Sequence, residues 1–270
     1  MAGEAFTREQ VRAVLTGEST GLASQRRVFR RIPSSPRCKI CAAPFAGLGG
    51  LVFRRAGFRQ SPGNPALCGR CIAKLRKRQM TGVEIPITLL FSDICGSTGL
   101  GERMPSRLPH LPGPVLSTGI DSIVAHDGIV DKVVGDEVIG LFFGGISGPH
   151  HPAVAVAAAI DLAERAAQAS TTPSVSIPVG TAVHTGEAFV GATGLGTTVD
   201  DFTALGDVVN ITERLASAAA AGEVIVSVAA AEAASMATDH LERRTVEIRG
   251  RTEPIEVIVL PAPTHKSVAR

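Results

Sequence analysis

Two apolar segments, each with an aspartate at the end of a predicted strand, constrain the fold of this chain more than any other feature. Residues 86–92 form a run of β-forming residues that stops at Asp93, and residues 129–142 read as two strands joined by a tight Gly135-Asp136 turn. If these strands pair, Asp93 and Asp136 lie at neighbouring strand ends. Two carboxylates placed in this way suit Mg²⁺ or Mn²⁺ bound together with nucleotide phosphates. The alternative for each aspartate is a plain turn residue.

The charge of the chain is divided sharply between two regions. Residues 1–82 hold 16 Lys and Arg against 3 Asp and Glu, a balance of +13, whereas residues 83–270 hold 11 against 22, a balance of −11. This division predicts a basic N-terminal region at 1–82 with a connector, an acidic domain at 83–262, and a loose tail at 263–270. The basic region is expected to dock on the acidic domain or to contact an anionic or protein partner.

Composition excludes some classes of function. The hydrophobic fraction of 44% is enough for a packed core, and the absence of Trp and Tyr disfavours an aromatic surface for stacking bases. No apolar run reaches the roughly 18 residues that a membrane-spanning helix needs, and the N-terminus has no apolar signal core. We therefore expect a cytoplasmic protein with no membrane span.

Four cysteines of the basic region form two C-x-x-C pairs. Cys38 and Cys41 make the first pair, Cys68 and Cys71 make the second, and 26 residues separate them. Four thiolates with this spacing predict a tetrahedral Zn²⁺ site, with an iron–sulfur cluster or disulfides as the alternatives. The intervening residues are rich in Gly and Pro, so a small module at 38–71 is expected to need its metal to fold.

The remaining pattern alternates helices with hairpins. Thr185-Gly186 reads as the turn between strands at 175–184 and 187–190, and Gly250-Arg251-Thr252 as the turn of a final hairpin. The order of elements predicts an α+β fold with one mixed, mostly antiparallel sheet and helices packed on it. Helices are predicted near 6–15, 97–104, 115–126, 151–169, 207–219 and 229–236, and further strands near 200–205, 224–228, 243–249 and 255–260.

Four motifs follow one another along the acidic domain. They are Leu90-Phe91-Ser92-Asp93-Ile94 with Gly96 and Thr98, Asp131-Lys132-Val133-Val134-Gly135-Asp136, Val183-His184-Thr185-Gly186-Glu187, and Thr203-Ala204-Leu205-Gly206-Asp207-Val208-Val209-Asn210-Ile211-Thr212-Glu213-Arg214-Leu215. With these motifs in this order, the stretch from about Ile85 to Leu260 resembles the class III nucleotidyl cyclases, the adenylyl and guanylyl cyclases. The resemblance implies a ferredoxin-like, palm-like catalytic domain, here preceded by a metal-stabilised cysteine module that looks like a zinc ribbon.

The resemblance also implies roles by position. Asp93 and Asp136 match the two metal-binding aspartates of the family, and the Ile94 carbonyl would complete one metal shell. Asn210 and Arg214 match the residues that orient the ribose and stabilise the transition state. Two Mg²⁺ or Mn²⁺ ions would lower the pKa of the ribose 3′-hydroxyl and neutralise the leaving pyrophosphate, so no side-chain base is required.

Two positions bear on the choice of nucleotide. Lys132 matches the lysine that reads the purine, and Thr203 falls at the position of its partner. Because guanylyl cyclases usually place Glu and Cys at these positions, the resemblance favours ATP. Further substrate contacts are expected from Gly96, Ser97, Thr98 and Arg251. For Arg251, the alternative is a plain turn residue.

The implied activity is conversion of ATP to 3′,5′-cyclic AMP and pyrophosphate at the interface of a head-to-tail homodimer. One protomer would supply the metal aspartates and the other the purine reader, the Asn and the Arg. One alternative is a non-enzymatic nucleotide-sensing dimer whose basic cysteine module binds nucleic acid or a protein partner. Another is diguanylate cyclase chemistry, since residues 134–138 faintly resemble the signature hairpin of those enzymes. A regulatory restraint of dimer closure by the basic region is a further hypothesis.

Overall fold

The fold is described from a computed structural model of the 270-residue chain. The structure describes residues 7–61, 67–77, 82–95, 112–169, 178–193, 201–248 and 250–260. The predicted helix near 97–104 lies outside these residues. The chain divides into two compact units, of which unit 1 is Met1–Pro86, Phe143–Pro149 and Glu187–Gly206, and unit 2 is Ile87–Phe142, His150–Gly186 and Asp207–Arg270.

Within the described residues, the strands form an eight-stranded sheet. In chain order they are β1 (Val83–Ile94), β2 (Ile129–Val134), β3 (Glu137–Phe142), β4 (Val179–Thr193), β5 (Asp201–Leu205), β6 (Val224–Ser227), β7 (Glu242–Val246) and β8 (Ile255–Leu260). The strand order is β2-β3-β1-β4-β6-β8-β7, and β5 pairs with β4. Of the strand pairs whose register the structure describes, β4 with β6 is parallel and the others are antiparallel. The predicted α+β fold with a mostly antiparallel sheet is confirmed.

Strand β4 corrects the predicted hairpin at Thr185-Gly186, because it continues through both residues without a turn. Its first half pairs with β6 and its second half pairs with β5, so neighbours hold it extended on both sides of the predicted turn. Gly186 serves close packing instead. A Cβ built on it would lie 3.1 Å from Cγ2 of Val208, which is tighter than an ordinary contact.

Within the described residues, the helices predicted near 6–15, 115–126, 151–169, 207–219 and 229–236 are present, and further helices occur that the sequence analysis did not predict. In chain order the helices are α1 (Arg8–Thr16), α2 (Thr20–Arg30), α3 (Gly47–Arg55), α4 (Gly69–Lys77), α5 (Pro112–Ala125), α6 (Gly144–Ser147), α7 (His151–Ala169), α8 (Asp207–Ala218) and α9 (Val228–Ala233). Helix α5 begins at Pro112, where the fixed φ of proline suits a first helical turn. None of the described helices is both long and apolar enough to cross a bilayer.

The core of unit 2 lies between its helices and the sheet. Helix α7 buries small residues spaced three or four apart, so one face of the helix can approach the strands closely. These residues meet large apolar side chains from β1, β3 and β4. The cluster includes Ala155, Ala158, Ala159, Leu162 and Ala166 from α7, with Leu90, Phe142 and Val183 from the sheet.

In unit 1, helix α1 begins with a capping box. The Gln10 N–H donates to Oγ1 of Thr7 at 3.3 Å, and the Thr7 N–H donates to Oε1 of Gln10 at 3.1 Å. Two amide donors at the helix start are thereby satisfied. Helix α1 also buries Val11 and Leu15, which are each 2% exposed.

Candidate active site and metal centre

The hairpin between β2 and β3 places Asp136 at its tip. The two-residue turn needs a positive φ at its first position, and Gly135 supplies it with φ 63°. Strand β3 pairs in turn with β1, with Ser92 opposite Val138. The next residue of β1, Asp93, therefore lies beside the hairpin tip. The prediction that Asp93 and Asp136 occupy neighbouring strand ends is confirmed.

The two aspartates form an electrostatically strained pair. Burial raises the pKa of Asp93, the negative charge of Asp136 raises this pKa further, and a hydrogen bond from the backbone of Ile94 partly opposes the shift. The Oδ2 atom of Asp136 is buried and has no hydrogen-bond partner among the described residues. A buried carboxylate oxygen without a partner is costly unless a cation satisfies it. The pair therefore fits the hard oxygen ligands that a Mg²⁺ or Mn²⁺ ion prefers.

Two glutamates that the sequence analysis did not single out extend this carboxylate group. Burial raises the pKa of Glu137 to about 7, and the nearby charge of Glu213 on α8 raises it as well. Asp93 and Asp136 act in the same direction, and Lys132 opposes them. Glu137 directly follows Asp136, and Glu213 lies inside the fourth motif. In the sequence, only their positions directly after or within these motifs could have indicated that the two glutamates belong to the site.

Helix α8 carries Asn210 and Arg214 one turn apart, and both side chains are exposed. They share a face of the helix, as their spacing predicts. Gly180 on β4 lets the end of this helix pack closely, since a Cβ built on it would lie 2.9 Å from the Ala219 carbonyl oxygen. The two side chains are thus carried by a rigid, well-packed element and stay available to a ligand or a second chain.

Lys132 lies at an irregularity in β2. The pairing of β2 with β3 changes register between Val130 and Val133, which is the pattern of a β-bulge, and bulges redirect side chains. The Lys132 ammonium is 3.8 Å from the Asp131 carboxylate. The Lys132 side chain is 48% exposed, whereas that of Asp131 is 4% exposed. The amine is therefore presented at the surface with a buried carboxylate beside it.

Of the remaining residues predicted to contact substrate, the structure describes Thr203 and Arg251. Thr203 lies on β5 opposite Gly191 and is 4% exposed. Arg251 forms an ion pair with Asp207, the first residue of α8, which places its cation near the start of that helix. Gly96, Ser97 and Thr98 lie outside the described residues.

Comparison with known proteins decides the family. The model of the family "Adenylate and Guanylate cyclase catalytic domain" matches residues 82–261. This chain belongs to that family. The chain is similar to the crystal structure of the guanylyl cyclase Cya2, with 25% identity and a TM-score of 0.62 over 70% of this chain and 98% of that one. The adenylyl cyclase CyaB from P. aeruginosa is also similar, with 25% identity and a TM-score of 0.57 over 69% of this chain and 98% of that one.

Curated relatives of this cyclase-family chain are longer proteins. "Adenylate cyclase 1" of Rhizobium meliloti (strain 1021) is 29% identical over 136 residues, which are 48% of this chain and 20% of that protein. "Uncharacterized protein Rv1318c" of Mycobacterium tuberculosis (strain ATCC 25618 / H37Rv) is 28% identical over 199 residues, which are 70% of this chain and 36% of that protein. The chain thus spans between a fifth and about a third of the length of these relatives.

Outside the cyclase domain, the four cysteines of the two C-x-x-C pairs come together. The Sγ atoms of Cys38 and Cys71 are 3.8 Å apart, those of Cys41 and Cys68 are 3.7 Å apart, and all four lie within 4.8 Å of one another. Four sulfurs at about 2.3 Å from one tetrahedral Zn²⁺ would be about 3.8 Å apart. A multi-iron cluster would spread the four sulfurs around several metal atoms. The predicted cysteine cluster is present, and its size fits one ion.

The backbone around these cysteines favours thiolates. The Cys68 N–H donates to Sγ of Cys38 at 3.3 Å, and the Cys71 N–H donates to Sγ of Cys68 at 3.4 Å. Hydrogen bonds from the other three thiols lower the pKa of the Cys38 thiol, and the same bonds raise the pKa of the Cys41 and Cys71 thiols that donate to it. Since a metal binds the thiolate form, donors aimed at the sulfurs orient the ligands and support binding.

Apart from the cysteines, a small aromatic core supports the module. The rings of Phe29 and Phe53 have centroids 4.8 Å apart in an edge-to-face arrangement, and Phe58 packs against both at 5.5 and 5.4 Å. The Arg70 guanidinium lies 4.8 Å from the centre of the Phe58 ring. Three rings and one cation–π contact are a modest core, so a metal would add much of the stability of the module.

Proposed function

We propose that this chain is an adenylate cyclase that converts ATP to 3′,5′-cyclic AMP and pyrophosphate. The observation that carries the proposal is the carboxylate pair of Asp93 and Asp136, with its unpartnered buried oxygen, inside a domain of the cyclase family. The same domain keeps Asn210 and Arg214 exposed on one helix face. A domain that kept the cyclase fold without catalytic activity would not need all of these side chains.

The reaction is an in-line attack of the ribose 3′-hydroxyl on the α-phosphorus. Asp93 and Asp136 would hold two divalent cations, which when bound would lower the pKa of that hydroxyl and offset the charge of the pyrophosphate. The bond from the α-phosphorus to the pyrophosphate oxygen breaks as the bond to the 3′-oxygen forms. Asn210 orients the ribose. Arg214 presents a fixed cationic fork to the phosphorus centre as negative charge accumulates there. The ribose proton leaves to solvent, and no side-chain base is required.

The choice of ATP rests on Lys132 and Thr203. Their residue types are those that the resemblance associates with adenylyl rather than guanylyl cyclases. The exposed ammonium of Lys132 can donate to a purine acceptor, and Asp131 keeps the amine close to the strand.

The active form that we propose is a head-to-tail homodimer with two equivalent sites. The Asp93 and Asp136 of one protomer would face the Lys132, Asn210 and Arg214 of the other, and a monomer would be inactive. The exposure of Asn210 and Arg214 in a single chain supports this arrangement, because catalytic side chains inside a completed site are normally screened from solvent.

Turnover with each nucleotide tests the proposal. Purified full-length chain is given ATP or GTP with Mn²⁺ or Mg²⁺, and the product is identified by its mass. We expect cyclic AMP from ATP, a loss of about 10²-fold or more in Asp93→Asn, and a lower kcat/KM for ATP in Lys132→Ala. The matched control is Asp239→Asn, an exposed aspartate outside the site, which should retain full activity.

Three results would overturn the proposal. Preferred turnover of GTP would make the chain a guanylate cyclase, and a cyclic dinucleotide product would indicate diguanylate cyclase chemistry. Binding of nucleotide without any product, in the presence of either metal, would support the nucleotide-sensing dimer instead.

A further inference from the structure

Helix α3 of the cysteine module exposes an apolar face. Leu48 is 84% exposed, Leu51 is 58% exposed and Val52 is 67% exposed. Their spacing places all three on one side of the helix. The other side packs inward, with Gly50 against the backbone of residue 45 and Phe53 in the aromatic core. We call the surface formed by Leu48, Leu51 and Val52 the α3 face. The helix has a separate buried side, so the α3 face is not needed to anchor the helix to the module.

Leu48 and Leu51 of the α3 face also line an apolar groove. Its volume is about 490 Å³, and among the described residues that line it Arg54 alone is charged. An apolar surface with one cation at its edge suits a ligand that carries both aliphatic chain and negative charge. The lining consists of Phe45, Ala46, Gly47, Leu48, Gly50, Leu51 and Arg54.

The chain segment that carries the α3 face has charges of one sign. Residues 19–83 contain 14 Lys and Arg and no Asp or Glu. Arg54 and Arg55 end α3 itself, and the exposed Arg59 follows shortly after it. A partner for this surface must therefore be anionic, and it must also accept aliphatic side chains.

These properties favour a lipid surface over the other anionic partners. Single-stranded nucleic acid is held largely by aromatic stacking, but Phe29, Phe53 and Phe58 pack on one another, and Phe45 is half-buried. An acidic protein would need a recess matched to Leu48, which protrudes almost completely. A bilayer interface adapts to any protruding apolar side chain and attracts flanking Arg through anionic headgroups.

We infer that the cysteine module binds the surface of anionic membranes through the α3 face. Leu48, Leu51 and Val52 enter the boundary between headgroups and acyl chains, and Arg54 and Arg55 contact lipid phosphates. The contact is peripheral and reversible, because three aliphatic residues and a few Arg give far less affinity than a spanning helix. This inference does not rest on the proposed cyclase activity.

Vesicle sedimentation with the full-length chain tests the inference. The vesicles contain phosphatidylcholine alone or with about 30 mol% phosphatidylglycerol, at low salt and at about 0.5 M salt. The variants are Leu48→Ser/Leu51→Ser and Arg54→Gln/Arg55→Gln. Ile160→Ser on α7 is the matched control, since Ile160 is 39% exposed but belongs to the catalytic domain. Metal content and circular dichroism confirm that each variant is folded.

We expect binding to the anionic vesicles only, and weaker binding at high salt. Each double variant should lose about tenfold or more in affinity, whereas Ile160→Ser should bind as the unmodified chain does. The inference is overturned if no variant changes binding, or if the chain ignores both kinds of vesicle. Retardation of double-stranded DNA that Leu48→Ser/Leu51→Ser leaves intact, without vesicle binding, would assign the basic region to nucleic acid instead.

Discussion

At the scale of single residues, two buried histidines have structural roles. His184 lies in the third motif, is 8% exposed, and has its Nδ1 2.8 Å from Oγ of Ser227. His151, at the start of α7, is 8% exposed, and its Nδ1 is 2.9 Å from Oγ1 of Thr88. Burial dominates at both rings, and at His184 the positive charge of Arg251 adds to it while the negative charge of Asp207 opposes it.

These histidines make the protein sensitive to mild acid. Burial lowers the pKa of His151 to about 4 and that of His184 to about 4, against about 6.5 in the unfolded chain. The unfolded state therefore binds more protons between these values. The contribution of each histidine to the free energy of unfolding is fully present above pH 6.5. It falls as the pH drops towards 4, by about 2 kcal/mol per histidine between pH 7.5 and pH 5.

Urea unfolding at a series of pH values checks this prediction. His184→Gln should flatten the dependence of the unfolding free energy on pH by about half, because one of the two buried rings is removed. His240→Gln, at an exposed position, is the control and should leave the dependence unchanged. A dependence in His184→Gln as steep as in the unmodified chain would contradict the prediction.

At the scale of elements, structure that local sequence determines could be predicted, whereas structure that depends on long-range strand pairing could not. The β2–β3 hairpin was predictable because Gly135-Asp136 determines its turn within a few residues. Strand β4 was not, because Thr185-Gly186 is a turn dipeptide by local rules and stays extended only through the pairings with β5 and β6. Such pairings involve residues far away in the sequence, and one sequence does not reveal them.

The candidate site shows the same limit. The spacing of Asn210 and Arg214 predicted a shared helix face, and strand patterns predicted neighbouring positions for Asp93 and Asp136. The approach of Glu213 to this group depends on the packing of α8, which no local pattern encodes.

The cysteine module gives a prediction at this scale. We expect one Zn²⁺ per chain by elemental analysis, since four buried Sγ atoms lie within 4.8 Å of one another. Cys41→Ser should lose most of this metal and make residues 37–77 sensitive to protease, because the module has little other core. Cys95→Ser is the control, since Cys95 lies outside the cluster. Equal metal content in both variants, or visible absorption from an iron–sulfur cluster, would contradict the zinc assignment.

At the scale of the whole molecule, the chain joins two kinds of surface. The N-terminal region has a charge of +13 and presents the α3 face, whereas the cyclase domain and tail have a charge of −11 and present Asn210 and Arg214. The proposed activity requires a second copy of the chain, and the inferred membrane contact would concentrate copies on a surface. Concentration on a membrane would favour dimerisation by mass action.

Mixing two inactive variants tests the shared site most directly. Asp93→Asn removes a metal ligand, and Arg214→Ala removes the transition-state cation. In a head-to-tail dimer of one protomer of each kind, one of the two sites keeps both groups intact. If the protomers exchange freely, half of the dimers are mixed, so cyclic AMP production should recover to about a quarter of that of the unmodified chain. A mixture as inactive as either variant alone, with exchange of protomers demonstrated, would contradict a site built from two chains.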